Sequence, residues 1–282
     1  MSTQERPTAV VTGANRGIGY AVAEGLVREG YEVVVVSRDP DRGEKARASL
    51  EATAAKGGGR GSARLVVGDL SSIRAIRATA AALTDACPRI DVLVHNAGIW
   101  PYERVLNEDG LEQSYVTNHL APFLLNLELE PLLLKSKTRV VQVSAGLYVK
   151  GVAHPDRTPG GLHFHPMRTY ADTKLCNLMM VPLFAERWKG SGVTIDAVHP
   201  GVIRTGLGDR GGFLGVLLKA AKLLWKKPST GAGPVLALAL DHDGGTGRYF
   251  HLHKEQPLAP VAADRERARR LWDRAAETCG VS

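Results

Sequence analysis

The chain has 282 residues, 44% of them hydrophobic and 23% charged, which excludes a disordered segment and a domain too small to bury a core without disulfides or metal. Its net charge of +7, from 36 Lys+Arg against 29 Asp+Glu, is scattered without aromatic interleaving; this speaks against a nucleic-acid partner and for a solvated surface that focuses anionic ligands. The polar start, the lack of any apolar run near the roughly 18 residues of a bilayer span, and three scattered cysteines, Cys87, Cys176 and Cys279, speak against a secretory signal, an integral membrane segment, a disulfide framework or a zinc motif, and point to the cytoplasm.

The first apolar run, T-A-V-V-T (8–12), reads as a buried strand, and 17–29 as a helix. The turn between them, T-G-A-N-R-G-I-G from Thr12 to Gly19, places three glycines where a dinucleotide would meet a helix N-terminus. Gly13 allows the tight turn, Gly17 the close approach of a pyrophosphate, and Gly19 the packing of helix on strand. E-V-V-V-V-S (32–37) is the second strand. A site that prefers NAD carries a carboxylate at this strand's end, to hold the ribose hydroxyls. Ser37 and Arg38 stand there instead, with Arg16 in the glycine turn. Two planar guanidiniums and a hydroxyl make a socket for a 2′-phosphate, so the expected cofactor is NADP(H). Asp39, one residue late, is expected to cap the next helix, 41–56.

That helix ends in G-G-G-R-G, and A-R-L-V-V-G (63–68) is the third strand. A helix over 71–86 precedes I-D-V-L-V-H (90–95); a long helical region then leads to R-V-V-Q-V-S (139–144), a helix over 168–188, and V-T-I-D-A-V-H (193–199). Near-continuous Val and Ile runs mark strands buried on both faces. The expected fold is α/β: a single doubly wound parallel sheet, a Rossmann fold, with helices on both faces and one domain over 1–282. Whether the domain self-associates into a homo-oligomer is left open.

Two segments fall outside the alternation. The first, 146–168, reads as a loop insertion at the active site. It carries His154, His163 and His165 with no carboxylate or cysteine at ligand spacing, so no metal is expected; His163 and His165 are candidates for substrate contact. The second, 206–228, is strongly apolar, Phe213 and Leu217 included, with a basic stripe through Lys219, Lys222, Lys226 and Lys227. It reads as an apolar lid over a lipophilic small-molecule substrate, with Phe213 and Leu217 as contacts; a membrane-surface helix is the alternative. The tail, D-R-E-R-A-R-R-L-W-D-R, is expected as a charged helix with Leu271 and Trp272 turned inward.

The chemistry is expected at Tyr170 and Lys174, which stand at i and i+4 on one helix face. A phenol with an ordinary pKa of about 10 trades protons poorly near neutrality, and an adjacent ammonium stabilises the phenolate.

These motifs together resemble the short-chain dehydrogenase/reductase superfamily over nearly the whole chain, and within it the branch of retinol dehydrogenases and protochlorophyllide reductases. T-G-A-N-R-G-I-G, with Asn15 and Ile18 beside its glycines, is similar to the glycine motif, and Asp69–Leu70 to the adenine-contacting pair. H-N-A-G, with Asn96, Ala97 and Gly98, resembles the fourth-strand motif, and H-P-G-V-I-R-T the segment that meets the nicotinamide, with Pro200, Gly201, Ile203 and Thr205. The resemblance implies Tyr170 as general acid/base, Lys174 as the group that tunes it and binds the nicotinamide ribose, and Asn118 on a water-mediated proton path.

It also implies a serine that hydrogen-bonds the substrate oxygen. Relatives carry two serines after the fifth strand and use the second; here Ser144 takes the first position and Ala145 the second. Losing such a donor costs on the order of 10²–10³ in rate. Either Ser144 shifts register into the role, which strand alternation disfavours, or another hydroxyl, such as that of Tyr148 or Thr169 or one on the substrate, stands in, or the reaction is a non-redox one: enolisation, epimerisation, dehydration or cyclisation. A catalytically silent dinucleotide sensor is a further reading.

Overall fold

The computed structural model describes residues 6–201, 228–240 and 243–281. The Val-rich runs form one eight-stranded sheet in the order β3-β2-β1-β4-β5-β6-β7-β8. The strands are β1 (Thr8–Thr12), β2 (Glu32–Ser37), β3 (Ser62–Val67), β4 (Val92–His95), β5 (Arg139–Val143), β6 (Thr194–His199), β7 (Tyr249–His251) and β8 (Lys254–Gln256). All neighbours pair in parallel except β7 and β8, which form an antiparallel hairpin at the edge.

The register explains why the strands need apolar residues at successive positions. Val34, Val10, Leu93, Val140 and Ile195 stand side by side and point to one face. One residue along, Val35, Val11, Val94 and Val141 point to the other. Each face is covered by helices. α3 (Ile73–Ala86), α5 (Ala121–Glu128), α7 (Pro166–Arg187) and α9 (Arg265–Cys279) bury one. α1 (Gly17–Arg28), α2 (Pro40–Lys56) and α8 (Pro228–Leu240) bury the other. Burying a Val or Leu on such a face stabilises by about 1.5–3 kcal/mol. The second row ends at β6 on Asp196, whose carboxylate is held by Arg248 at 2.8 Å.

The strand order reverses between β1 and β4, so a crevice opens at the carboxyl ends of these strands, where a doubly wound sheet binds ligands. The connection from β4 to β5 is more broken than the expected long helical region. A loop leads to α4 (Gln113–Tyr115), a π-helical turn (Val116–Leu120), α5, and α6 (Glu130–Ser136). After β5 a 3₁₀ turn (Gly146–Lys150) opens the 146–168 segment, which docks where Arg104 donates to the Gly160 carbonyl at 2.6 Å and Glu112 N to that of Pro159 at 2.8 Å. Of the expected lid, residues 206–227 lie outside the described residues and Pro228 begins α8. Among the described residues no helix is long and apolar enough to cross a membrane.

The tail helix α9 docks as its pattern predicts. Trp272 packs edge-on against Phe123, ring centroids 4.9 Å apart, and lies 4.6 Å from Phe184, joining α9 to α5 and α7. Arg265 and Glu186 add an exposed ion pair at 2.7 Å. The aromatic contact is the stronger of the two, because an exposed pair contributes at most about 1 kcal/mol. Trp272→Ala should therefore lower unfolding stability by about 3 kcal/mol, and Arg265→Ala by less than about 1 kcal/mol, both read by urea denaturation. Equal losses would contradict this ranking.

Candidate active site

The crevice holds a cavity of about 460 Å³, of the size that takes a nucleotide-like ligand. Its floor is tied together by one hydroxyl. Thr12 Oγ1, at the end of β1, accepts N–H bonds from Asn96 and Ala97, both 3.0 Å, and donates to the Val94 carbonyl at 3.3 Å. Asn96 Nδ2 in turn donates to the Thr12 carbonyl at 2.9 Å. This clasp brings Gly13, Asn15, Arg16, Gly17 and Ile18 beside Asn96, Ala97 and Gly98 along one wall. Gly13 and Gly17 have φ of +66° and +61°, a backbone that favours glycine. Gly19 is needed for space: a methyl carbon there would lie 2.6 Å from the Gly13 carbonyl oxygen and overlap the Asn96 amide. α1 thus starts close against the turn, its free N–H groups at the crevice.

At the end of β2, Ser37, Arg38 and Asp39 line the cavity, with Asp69 and Leu70 from the end of β3 across from them. Asp39 caps α2, its Oδ1 accepting from Arg42 N at 3.0 Å, and its Oδ2 lies 3.1 Å from Arg42 Nε. Its carboxylate is occupied as expected, rather than free to hold a ribose diol. Arg42 also lines the cavity and was missed from the sequence; its position three residues after the capping aspartate is the signal that could have found it. Arg16, Arg38 and Arg42 thus gather at this end together with Asp39 and Asp69.

At the other end, α7 delivers Tyr170 and Lys174. Tyr170 is 6% exposed, and Lys174 Nζ lies 5.8 Å from its ring centroid and donates to the Val143 carbonyl at 3.3 Å. Burial pushes the Tyr170 phenol well above its ordinary value and holds Lys174 down to about 8. Trp100, unmarked by the sequence reading, stacks on the Tyr170 ring, centroids 4.7 Å apart and planes 16° from parallel, and its indole N–H donates to the Pro166 carbonyl at 2.9 Å. An aromatic residue directly after H-N-A-G-I, where the chain leaves β4, was the available sign.

Asn118 sits in the π-helical turn, a local widening that often marks a functional position. Its Oδ1 accepts from Ile99 N at 2.7 Å, and its Nδ2 donates to the Ile99 carbonyl at 2.9 Å and to Thr173 Oγ1 at 3.1 Å. Its own carbonyl accepts from Asn177 Nδ2 at 2.6 Å, and Asn177 Oδ1 faces His119 Nδ1 at 3.1 Å. Because that oxygen only accepts, the His119 ring carries its proton on Nδ1; burial holds His119 down to about 4, so the ring is neutral.

Ser144 and Ala145 both line the cavity, as do His199, Pro200 and Gly201. Ser144 N continues the β5–β6 ladder by donating to the Val198 carbonyl at 2.8 Å. Other expected contacts are engaged elsewhere. Tyr148 is a core residue, 4% exposed and edge-on to Tyr249, with its hydroxyl accepting from Ala259 N at 3.2 Å. Thr169 Oγ1 accepts from His165 N at 3.2 Å and lies off the cavity. Neither residue lines the cavity. His165 caps α7, with Nδ1 facing Arg168 N at 3.4 Å, and the carbonyl of His163, which has φ +61°, accepts from Arg168; neither lines the cavity. Ile203, Thr205, Phe213 and Leu217 lie outside the described residues. Among the described residues no three His, Cys, Asp or Glu side chains converge as a metal site would require.

Comparison with known proteins agrees with this geometry. A family model for short chain dehydrogenases matches residues 7–210. Retinol dehydrogenase 14 of Mus musculus is 36% identical, over 94% of this chain and 84% of its own. Retinol dehydrogenase 13 of Homo sapiens is 34% identical, over 97% and 85%. Among solved structures, an uncharacterised protein from Mycobacterium paratuberculosis superposes with a TM-score of 0.74 and 26% identity, over 98% of this chain and 94% of its own. A structure described as an NAD(P)-dependent gluconate 5-dehydrogenase from Beutenbergia cavernae, with bound NADP, superposes with a TM-score of 0.66 and 28% identity, over 87% and 94%.

The buried ammonium makes a prediction. Lys174 has a folded-state pKa of about 8 against an ordinary value of 10.5, so between these the unfolded chain binds more protons. This group's contribution to stability therefore rises with pH across that window. Lys174→Met should raise the stability of the ligand-free protein at pH 7 by on the order of 2 kcal/mol, and the gain should shrink towards pH 10.5. A loss of stability at pH 7, measured by urea denaturation, would contradict it.

Proposed function

Because this chain belongs to the short-chain dehydrogenase family, we propose that it is an NADP(H)-dependent oxidoreductase that interconverts a carbonyl and an alcohol on a lipophilic small molecule of retinoid kind. The observation that carries the reading is a single cavity with the glycine turn and three arginines at one end and Tyr170 and Lys174 at the other. Gly13, Gly17 and Gly19 leave room for a pyrophosphate against α1, and Asn15, Ile18, Asp69, Leu70, Asn96, Ala97, Gly98, Pro200 and Gly201 would complete the dinucleotide cradle. Arg16, Arg38 and Arg42 favour a 2′-phosphate, which a guanidinium meets with two parallel donors. Bound NADP(H) supplies or accepts the hydride.

The chain's own residues handle the proton. Tyr170 gives its phenolic proton to the substrate oxygen in reduction and takes it back in oxidation. Burial alone makes the phenolate costly, and the Lys174 ammonium, whose Nζ lies 5.8 Å from the phenol ring centroid, favours the charged form. Asn118, pinned to Ile99 and Thr173, keeps α7 at a set distance from the chain leaving β4. Trp100 excludes water from one face of Tyr170. The lipophilic substrate is supported by the names of the relatives, retinol dehydrogenases 13 and 14.

NADPH-dependent reduction of all-trans-retinal, followed by the loss of reduced-nicotinamide absorbance, tests the reading. Tyr170→Phe should lower kcat by roughly 10²–10⁴. Arg38→Ala should weaken NADPH binding by about ten- to a hundredfold and leave NADH binding nearly unchanged; equal losses would remove the cofactor assignment. Product formed without nicotinamide oxidation would favour the epimerase, dehydratase or cyclase reading, to which Ala145 also points.

A further inference from the structure

Ala145 leaves the site without the hydroxyl that meets a substrate oxygen, and one polar side chain stands in the space beside it. His199 ends β6 next to the point where β5 runs into Ser144 and Ala145, and it lines the same cavity as Ser144, Ala145, Tyr170 and Lys174. A methyl carbon on Gly146 would lie 3.1 Å from His199 Nε2 and 3.2 Å from Cδ2, so the imidazole occupies room that a side chain at 146 would need. The ring is steadied by stacking on His251, centroids 5.1 Å apart and planes 18° from parallel.

Two polar atoms here are buried and have no hydrogen-bond partner among the described residues: His199 Nδ1 and Ser144 Oγ. Both residues continue the rows that face α7, Val140 and Gln142 leading to Ser144, and Ile195 and Ala197 leading to His199. Their side chains therefore project from adjacent strands, about 4.8 Å apart, to the same side. Each group left unsatisfied costs about 1–3 kcal/mol, and unpaired buried groups in folded proteins commonly mark a functional site. Burial, with His251 beside it, holds His199 down to about 4. At neutral pH the ring is uncharged, with one N–H to donate and one lone pair to accept. A neutral imidazole polarises a carbonyl without giving up its proton.

We propose that His199 is a catalytic residue that donates an Nε2–H hydrogen bond to the substrate oxygen in place of the missing serine hydroxyl. The assignment rests on the carbonyl–alcohol reading above. In the reduction the carbonyl carbon takes the hydride from NADPH, its oxygen takes the phenolic proton of Tyr170, and His199 keeps its own proton while its hydrogen bond strengthens on the developing oxyanion. NADP⁺ and the alcohol leave, and Tyr170 is reprotonated from water.

The test is the interaction between positions 145 and 199, measured with NADPH and all-trans-retinal. His199→Ala should lower kcat by on the order of 10² with little change in the KM for NADPH. Ala145→Ser added to His199→Ala should recover at least about tenfold, because the serine restores a donor where the imidazole is gone. His199→Gln, which keeps an N–H donor, should retain more activity than His199→Ala. Unchanged kcat in His199→Ala, or a double variant no better than it, would overturn the assignment. A second readout needs no turnover. Nitrogen NMR of the wild-type imidazole at pH 7 should show a neutral ring protonated on Nε2; a ring protonated on Nδ1, or a charged one, would overturn it. If no carbonyl is turned over with either nicotinamide, the parent reading fails while the tautomer still decides this one.

Discussion

The side-chain amide of Asn118 is the contact on which the site depends. It stands in the π-helical turn, receives Ile99 N–H, and donates to both the Ile99 carbonyl and Thr173 Oγ1. One residue thereby joins three segments: the chain leaving β4 beside the cofactor crevice, the helix that follows, and α7 between Tyr170 and Lys174. An ordinary α-helical turn would place the amide differently. Behind it, Asn177 and the neutral His119 hold its carbonyl, so the arrangement is braced from within the core.

From this brace the electrostatics follow. Arg16, Arg38 and Arg42, with Asp39 and Asp69 among them, line one end of the cavity, and Tyr170 and Lys174 line the other. Burial opposes charge on both Tyr170 and Lys174, so neither group works alone. Their proximity matters because a low-dielectric setting strengthens the attraction between phenolate and ammonium.

Much of this was legible in the sequence. The parallel sheet was visible because strands buried on both faces leave uninterrupted Val and Ile runs, as in E-V-V-V-V-S. The glycine turn, the basic end of β2, the capping role of Asp39 and the Tyr170–Lys174 spacing were visible because each depends on neighbours within a few residues. The less legible parts rest on distant contacts or on weak local signals. The three-residue strands β7 and β8 are too short to show alternation, and α8 carries Pro228, Gly231, Gly233 and Pro234, residues that argue against a helix until α1 is seen to pack on it, with Leu236 against Gly25. Tyr148 and His165 looked available for a ligand because their partners, Ala259 N and Arg168 N, are not apparent from composition. Trp100 went unremarked, and His199 was marked only as the head of H-P-G-V-I-R-T, for the converse reason: only the folded chain brings them to Tyr170 and Gly146.

The central claim is that this cavity transfers a hydride between NADP(H) and a carbonyl carbon, with Tyr170 handling the proton. The most direct measurement is isotope transfer: incubation with all-trans-retinal and NADPH deuterated at its transferable position, followed by mass spectrometry of the alcohol. The account predicts an alcohol carrying one deuterium at the former carbonyl carbon, formed in step with oxidised cofactor. An alcohol without the label, or a product formed while the labelled NADPH stays intact, would contradict it.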